Sequence, residues 1–112
     1  MSHTEALGEF EQIVLLAIVR LAPQAYGAAL QIEIEERTGR SVAIGALYTA
    51  LDRLERKGYV SSELSDPTPQ RGGRAKRLFV LRPAGVTALK RSRSALERMW
   101  SGINPDALRS RG

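Results

Sequence analysis

The sequence predicts a mainly α-helical fold with one small β-hairpin, and three observations support this prediction. Apolar residues recur at helical spacing in four segments of the chain. Two short runs rich in β-branched and aromatic residues flank a segment of turn-forming residues. Gly58 stands between the third helical segment and the first of these runs, where a left-handed residue ends a helix. This order of elements is that of a winged helix-turn-helix followed by a C-terminal helix.

The first two helices are predicted over residues 7–21 and from Tyr26 to about residue 38. The first is apolar around nearly its whole circumference, and so small a domain cannot bury both faces of such a helix. It is therefore either the central helix of the core or a helix whose spare face contacts a second subunit. Pro23 breaks the chain after it, and Gly39 ends the second helix.

Residues 40–43 predict a tight turn, and the third helix follows over residues 44–57. Leu47, Leu51 and Leu54 fall at i, i+4 and i+7, so one face is apolar, while Arg53 lies on another face. In a helix-turn-helix the N-terminal residues of this helix lie closest to the base edges in the major groove. The side chains at that end are small and weakly polar, which allows close approach but supplies few bidentate hydrogen bonds. Two roles stay open for Tyr48, a phosphate contact or packing of the helix onto the hairpin.

The hairpin is predicted from strands at residues 59–64 and 77–81, with basic side chains around its tip. Glycines let a backbone approach a groove closely, and a narrow minor groove attracts arginine. An ordinary solvated tip is the alternative, and a single RGGR string between two strands argues against an RNA-binding segment. The residues predicted to bind DNA are Ser41, Ala43, Gly45, Ala46, Tyr48, Thr49, Arg53, Arg71, Gly72, Gly73, Arg74 and Lys76.

The fourth helix is predicted from Pro83 to about residue 102. Leu89, Leu96 and Ile103 follow a seven-residue spacing, which favours pairing with a second copy of the chain over packing within one domain. Trp100, the sole tryptophan, is the natural anchor of such an interface. The predicted dimer-interface residues are Phe10, Val14, Leu89, Leu96, Met99, Trp100 and Ile103. Met99 and Trp100 are also predicted to contact a flat aromatic effector, unless the paired indoles fill the interface themselves.

Composition limits the alternatives. A chain of 112 residues with 43% hydrophobic and 26% charged residues forms one domain with a modest core. There is no cysteine and His3 is the only histidine, so we expect no metal, no cofactor and no enzymatic activity. No signal peptide is apparent, and the longest apolar stretch is about half a membrane span, so we expect a cytoplasmic protein without membrane contact. We divide the chain into a winged helix-turn-helix at 5–82, a dimerisation helix at 83–103 and a disordered tail at 104–112.

Charge is unevenly distributed along the chain. Residues 1–39 carry six acidic and two basic side chains, whereas the remainder carries fifteen basic and six acidic ones. The net charge is +5, and this asymmetry predicts that one surface meets a polyanion such as double-stranded DNA.

Over residues 7–89 the chain resembles the PadR family of transcriptional regulators. The resemblance lies in Tyr26-Gly27, in Gly45-x-Leu47-Tyr48-x-x-Leu51-x-x-Leu54-Glu55-x-x-Gly58, and in Phe79-x-Leu81-x-x-Ala84-Gly85. It implies a dimeric repressor in which the first and last helices form the dimer, and the third helix and wing bind a pseudo-palindromic operator. The short single C-terminal helix resembles that of the smaller branch of the family, some of whose members bind flat aromatic compounds at the dimer interface.

Two residues depart from the family pattern. Ala46 replaces the usual Thr or Ser before the Leu-Tyr pair, and Arg82 replaces a frequent Thr before the last helix. The alternative function is a winged helix that binds only protein. Arginines at 71, 74 and 77 argue against it, because a protein-docking wing has no need of a basic tip.

Overall fold

The computed structural model describes residues 7–65 and 75–110. Its elements are α1 (Glu9–Leu21), α2 (Gly27–Thr38), α3 (Ile44–Arg56), β1 (Val60–Leu64), β2 (Arg77–Leu81), α4 (Pro83–Trp100) and one turn of 3₁₀ helix (Pro105–Ala107). This order confirms the predicted fold class of three helices, a hairpin and a C-terminal helix.

The core lies between the first three helices and the inner face of the hairpin. Leu15, Ile18, Leu30, Leu51 and Phe79 are among its largest fully buried side chains. Helix α1 is the central helix, because it contacts α2, α3, β2 and α4. The three leucines that gave α3 its predicted apolar face are completely buried.

The hairpin is antiparallel and is attached to the helices at both ends. Val60 pairs with Leu81 and Leu64 with Arg77. The backbone N–H of Phe79 donates to the carbonyl oxygen of Ala25 (2.8 Å), so the linker before α2 lies against β2. The N–H of Arg82 donates to the carbonyl oxygen of Tyr59 (2.9 Å), which fixes the start of α4 against the start of β1.

Helix α3 ends slightly earlier, and β1 begins slightly later, than the sequence predicts. Gly58 has φ +78°, and its N–H donates to the carbonyl oxygen of Glu55. The N–H of Tyr59 donates to the carbonyl oxygen of Leu54 (3.0 Å). Tyr59 therefore closes the helix, as in a Schellman motif, instead of joining the strand.

The C-terminal segment after α4 contains one local turn. Helix α4 ends at Trp100, and the Asn104 side chain accepts a hydrogen bond from the N–H of Asp106 (3.0 Å) at the start of the 3₁₀ turn. Every residue from 104 to 110 is exposed, so this local turn is not held by the core. Across residues 7–65 and 75–110, no helix combines the length and apolar character that crossing a membrane requires.

Candidate nucleic-acid interface

The N-terminal half of α3 and the turn before it form an exposed surface. Ser41, Ala43, Gly45, Ala46 and Thr49 are all exposed. The opposite face of α3 is buried, so the orientation of the helix follows from its packing. The structure thus brings these five predicted DNA-binding residues together at one end of one helix.

Two side chains of α2 hold the turn that leads into α3. The Gln31 side chain donates to the carbonyl oxygen of Val42 (2.6 Å), and the N–H of Val42 donates to the Glu35 carboxylate (2.8 Å). The side chain of Val42 is itself buried. Ala43, the N-cap residue, makes no side-chain hydrogen bond, so the start of α3 is positioned by these two contacts to the preceding residue and not by a side-chain cap. Sequence reasoning missed this arrangement, because Gln31 and Glu35 read simply as polar residues of an amphipathic helix.

Tyr48 packs against α2. A Cβ atom built on Gly27 would lie only 2.1 Å from the Tyr48 hydroxyl oxygen and 2.6 Å from its Cζ. The ring therefore lies directly over the first residue of α2, where only glycine leaves room. Of the two roles left open for Tyr48, the structure shows packing, with α2 as the partner instead of the hairpin.

Arg77 connects the hairpin to α3. Its guanidinium forms an ion pair with Glu55 and lies 3.5 Å from the Asp52 carboxylate, while its Nε donates to the Ser62 hydroxyl (3.1 Å). It also lies 4.9 Å from the centre of the Phe79 ring. The Arg77 guanidinium is therefore paired with side chains of the same chain, and Arg77 is not one of the arginines that could form a basic wing tip.

Lys76 is the basic wing residue within the described part of the chain. It is exposed, and its Nζ lies 4.0 Å from the centre of the Tyr26 ring. Its backbone N–H donates to the Ser65 hydroxyl (2.9 Å), which holds the base of the wing. The predicted tip residues Arg71, Gly72, Gly73 and Arg74 lie outside the described residues.

Glu11 fixes the C-terminal end of α3 against α1. Burial alone would raise the pKa of the Glu11 carboxyl. The hydrogen bond from the N–H of Gly8, the Lys57 ammonium and the Arg53 guanidinium together outweigh burial, so the pKa lies below its ordinary value of 4.5. The Glu11 carboxylate lies 3.1 Å from Lys57 Nζ and 3.9 Å from Arg53. Arg53, predicted to bind DNA, thus also takes part in this internal cluster.

A second surface, separate from α3, is an apolar groove between α1 and α4 with a volume of about 870 Å³. Its apolar lining includes Leu16, Val19, Val86, Leu89, Leu96 and Trp100. The predicted interface residues Leu89, Leu96 and Trp100 lie here, whereas Met99 and Ile103 are exposed and do not line the groove. Sequence reasoning did not assign Leu16 and Val19 to the interface, although with Gln12 they fall at i, i+4 and i+7 on one face of α1.

Phe10 and Val14, the other two predicted interface residues, do not line this groove either. Val14 is completely buried in the core of a single chain, so its assignment to a dimer interface is corrected. Phe10 is half-buried and packs against the same core. No group of three or more His, Cys, Asp or Glu side chains that could hold a metal ion occurs among residues 7–65 and 75–110.

Known proteins resemble the chain in both sequence and fold. Residues 15–91 match the transcriptional regulator PadR-like family. The transcriptional regulator Rv3488 of Mycobacterium tuberculosis is 41% identical over 78 residues, which cover 68% of this chain and 66% of that protein. The chain therefore spans slightly less than two thirds of the length of this relative.

Solved structures share the architecture. A PadR-like transcription factor from Bacteroides fragilis has a TM-score of 0.68 at 20% identity, over 88% of this chain and 89% of that one. A PadR family transcription regulator from Clostridium difficile has a TM-score of 0.60 at 27% identity, over 78% and 88%. These names describe regulators of transcription, not enzymes. On the family match over residues 15–91, the chain belongs to the PadR-like family of transcriptional regulators.

Proposed function

We propose that this protein is a homodimeric repressor that binds a pseudo-palindromic operator in double-stranded DNA. The N-terminal half of α3 enters the major groove, and the wing lies along the adjacent minor groove. The observation that carries this proposal is the exposed first turn of α3, held in place from behind by buried leucines and by the two contacts to Val42. A rigid, exposed helix end is what insertion into a groove requires.

The electrostatics support the same arrangement. Fifteen of the seventeen basic residues lie from residue 40 onwards, in the part of the chain that contains α3 and the wing. Arg56 lies on the outward face of α3, Lys76 lies at the base of the wing, and both are exposed. Phosphate contacts by such side chains supply the sequence-independent part of DNA affinity.

A salt titration of duplex binding tests this proposal. We expect the logarithm of the wild-type affinity to fall steeply and linearly with the logarithm of salt concentration. Replacing both Arg71 and Arg74 with Ala should weaken binding to all duplexes and reduce the slope by about one unit per lost phosphate contact. The control is a double variant with Ala at Arg20 and Arg98, which removes the same charge from α1 and α4.

Two results would count against the proposal. Unchanged affinity and slope in the Arg71/Arg74 variant would remove the wing from the interface. A wild-type slope close to zero would favour the alternative function, a winged helix that docks only onto protein.

The groove between α1 and α4 supports the dimer and a small aromatic effector. Its apolar side chains include Trp100, which is 46% exposed in the protomer. We propose that α4 of a second copy covers part of this groove and that a flat aromatic compound occupies the remainder. Such a compound changes operator affinity only if it prefers one dimer geometry over another.

Tryptophan fluorescence tests the effector directly, because Trp100 is the only tryptophan. We expect at least one compound in a panel of planar aromatic dyes to quench this fluorescence saturably and to lower operator affinity. Absence of saturable quenching across the panel would leave a repressor without an interfacial effector site.

A further inference from the structure

The first turn of α3 carries an apolar surface that packing inside the protomer does not explain. Ile44, its first residue, is 43% exposed. Helical side chains lean toward the N-terminus of their helix, so the Ile44 side chain leans toward the exposed N-terminal end of α3. By contrast, Val42, the β-branched residue two positions earlier, is buried.

Gly45 follows Ile44 in the first turn of α3, and no feature of the chain's own structure explains why this residue is glycine. Its φ is not among the left-handed values, which among the described glycines belong to Gly39, Gly58 and Gly102. A Cβ atom built on Gly45 meets nothing within 4 Å, so no neighbouring residue requires a glycine here. Glycine stabilises a helix less than alanine does, and no contact within the protein compensates for this loss of helix stability in α3. Gly45 also falls on the outward stripe of α3 with Thr49 and Arg56, at i, i+4 and i+11.

The same turn lacks the side chains that read bases through paired hydrogen bonds. Residues 44–49 are Ile, Gly, Ala, Leu, Tyr and Thr, with no Arg, Lys, Asn or Gln among them. The major groove offers an apolar side chain one distinctive partner, the 5-methyl group of thymine.

We infer that Ile44 and Gly45 make α3 selective for thymine. Gly45 lets the backbone of the first turn approach the base edges closely, and the Ile44 side chain packs on thymine methyl groups in each half-site. This inference rests on the proposed DNA-binding function and names the base that the site selects.

Deoxyuridine tests the inference, since it pairs like thymidine and lacks only the methyl group. Duplexes that the 112-residue chain selects from a random library should contain recurrent thymines in both half-sites. Replacing a contacted thymine with deoxyuridine should weaken wild-type binding about fourfold, the effect of burying one methyl group. The Ile44→Ala variant should bind the thymine duplex more weakly and respond less to the replacement. Ile32→Ala is the matched control, because Ile32 is 55% exposed on α2, and this variant should keep the full thymine preference.

Gly45→Ala provides an independent test with two opposite expected effects. The added methyl group meets open space and favours the helix, so the melting temperature should rise by a few degrees. Operator affinity should fall about tenfold, because the same methyl group separates the helix from the bases. Unchanged or tighter operator binding would overturn the role of Gly45.

The results separate this inference from the proposed function. If the wild type shows no salt-dependent duplex binding, the proposed function fails. If it binds with a steep salt dependence but tolerates deoxyuridine at every half-site thymine, or selects sites without thymine, only the inference fails.

Discussion

At the scale of single residues, the structure explains why two parts of the family motif occur together. Tyr26-Gly27 and Leu47-Tyr48 are 21 residues apart in the chain, yet the Tyr48 ring packs on the Cα atom of Gly27. The sequence allowed us to recognise both parts of the motif. It could not reveal their contact, because spacing along the chain says nothing about which side chain lies over which glycine.

Gly27→Ala should therefore destabilise the protein, whereas Gly45→Ala should stabilise it. The Cβ atom at position 27 would overlap the Tyr48 ring, and forced repacking of this kind costs about 1–3 kcal/mol. The Cβ atom at position 45 meets nothing, and the gain in helix propensity is up to about 1 kcal/mol. Urea denaturation of both variants measures the two free energies of unfolding. Equal effects of the two substitutions would contradict the packing described here.

Glu11 should make stability depend on pH in the acid range. Its pKa is lower in the folded protein than the ordinary value of 4.5, so the folded state binds its proton less readily than the unfolded chain does. The resulting stabilisation is fully present above the ordinary pKa and is lost as the pH falls through the lower, folded-state value.

Denaturation of wild type and Glu11→Gln at several pH values tests this expectation. The difference between their free energies of unfolding should be largest near neutral pH and should shrink below about pH 4.5. Glu36→Gln, on the exposed part of α2, controls for the loss of one negative charge. A difference that stays constant down to low pH would show that Glu11 acts through packing alone.

At the scale of elements, helical periodicity predicted which helix faces are apolar. It did not predict which part of the molecule each apolar face packs against. The spacing of three leucines predicted the buried face of α3 correctly. Helix α1 is apolar nearly all round, so its pattern could not separate the core residue Val14 from the groove residues Leu16 and Val19. Arg77 was assigned to the wing for a similar reason, since its partner Glu55 lies 22 residues earlier and no local pattern connects them.

Lys76 and Arg77 are neighbours with different expected roles, which makes them a matched pair. Arg77→Ala should remove the connection between β2 and α3 and lower stability by roughly 1 kcal/mol, since these groups are partly exposed. It should leave the salt dependence of DNA binding unchanged. Lys76→Ala should reduce the slope of the salt titration by about one unit.

Thermal denaturation and salt titration of both variants distinguish these roles. A reduced slope in Arg77→Ala would mean that this guanidinium leaves its carboxylate partners to bind phosphate. An unchanged slope in Lys76→Ala would place the base of the wing outside the DNA interface.

At the scale of the whole molecule, folding brings some acidic side chains of the N-terminal part into ion pairs with basic side chains of the remainder. Glu9 pairs with Arg40 (2.9 Å), just before α3, and Glu11 pairs with Lys57, just after it. The first turn of α1 thus contacts both flanks of α3. Charge counting predicted a basic surface but could not show that some of its cations are neutralised internally.

The same helix α1 also borders the apolar groove, so the proposed dimer surface and the supports of α3 belong to one rigid element. Leu96 and Trp100 are 54% and 46% exposed there, and large apolar side chains that share one surface are typical of an interaction site. If a second copy covers this groove, it contacts α1, the helix whose first turn pairs with residues on both sides of α3.

Replacing both Leu96 and Trp100 with Ala should convert the proposed dimer to a monomer at micromolar concentration. Each buried large side chain contributes roughly 2–5 kcal/mol, so their combined loss exceeds what a moderate interface can tolerate. Sedimentation velocity measures the change, and operator binding should then require higher protein concentrations. A double variant with Ala at Ile32 and Leu64, which are 55% and 73% exposed outside the groove, should remain dimeric. Val14→Ala should lower stability without changing association, because that side chain lies in the core. If the Leu96/Trp100 variant stays a tight dimer, the two copies associate through another surface.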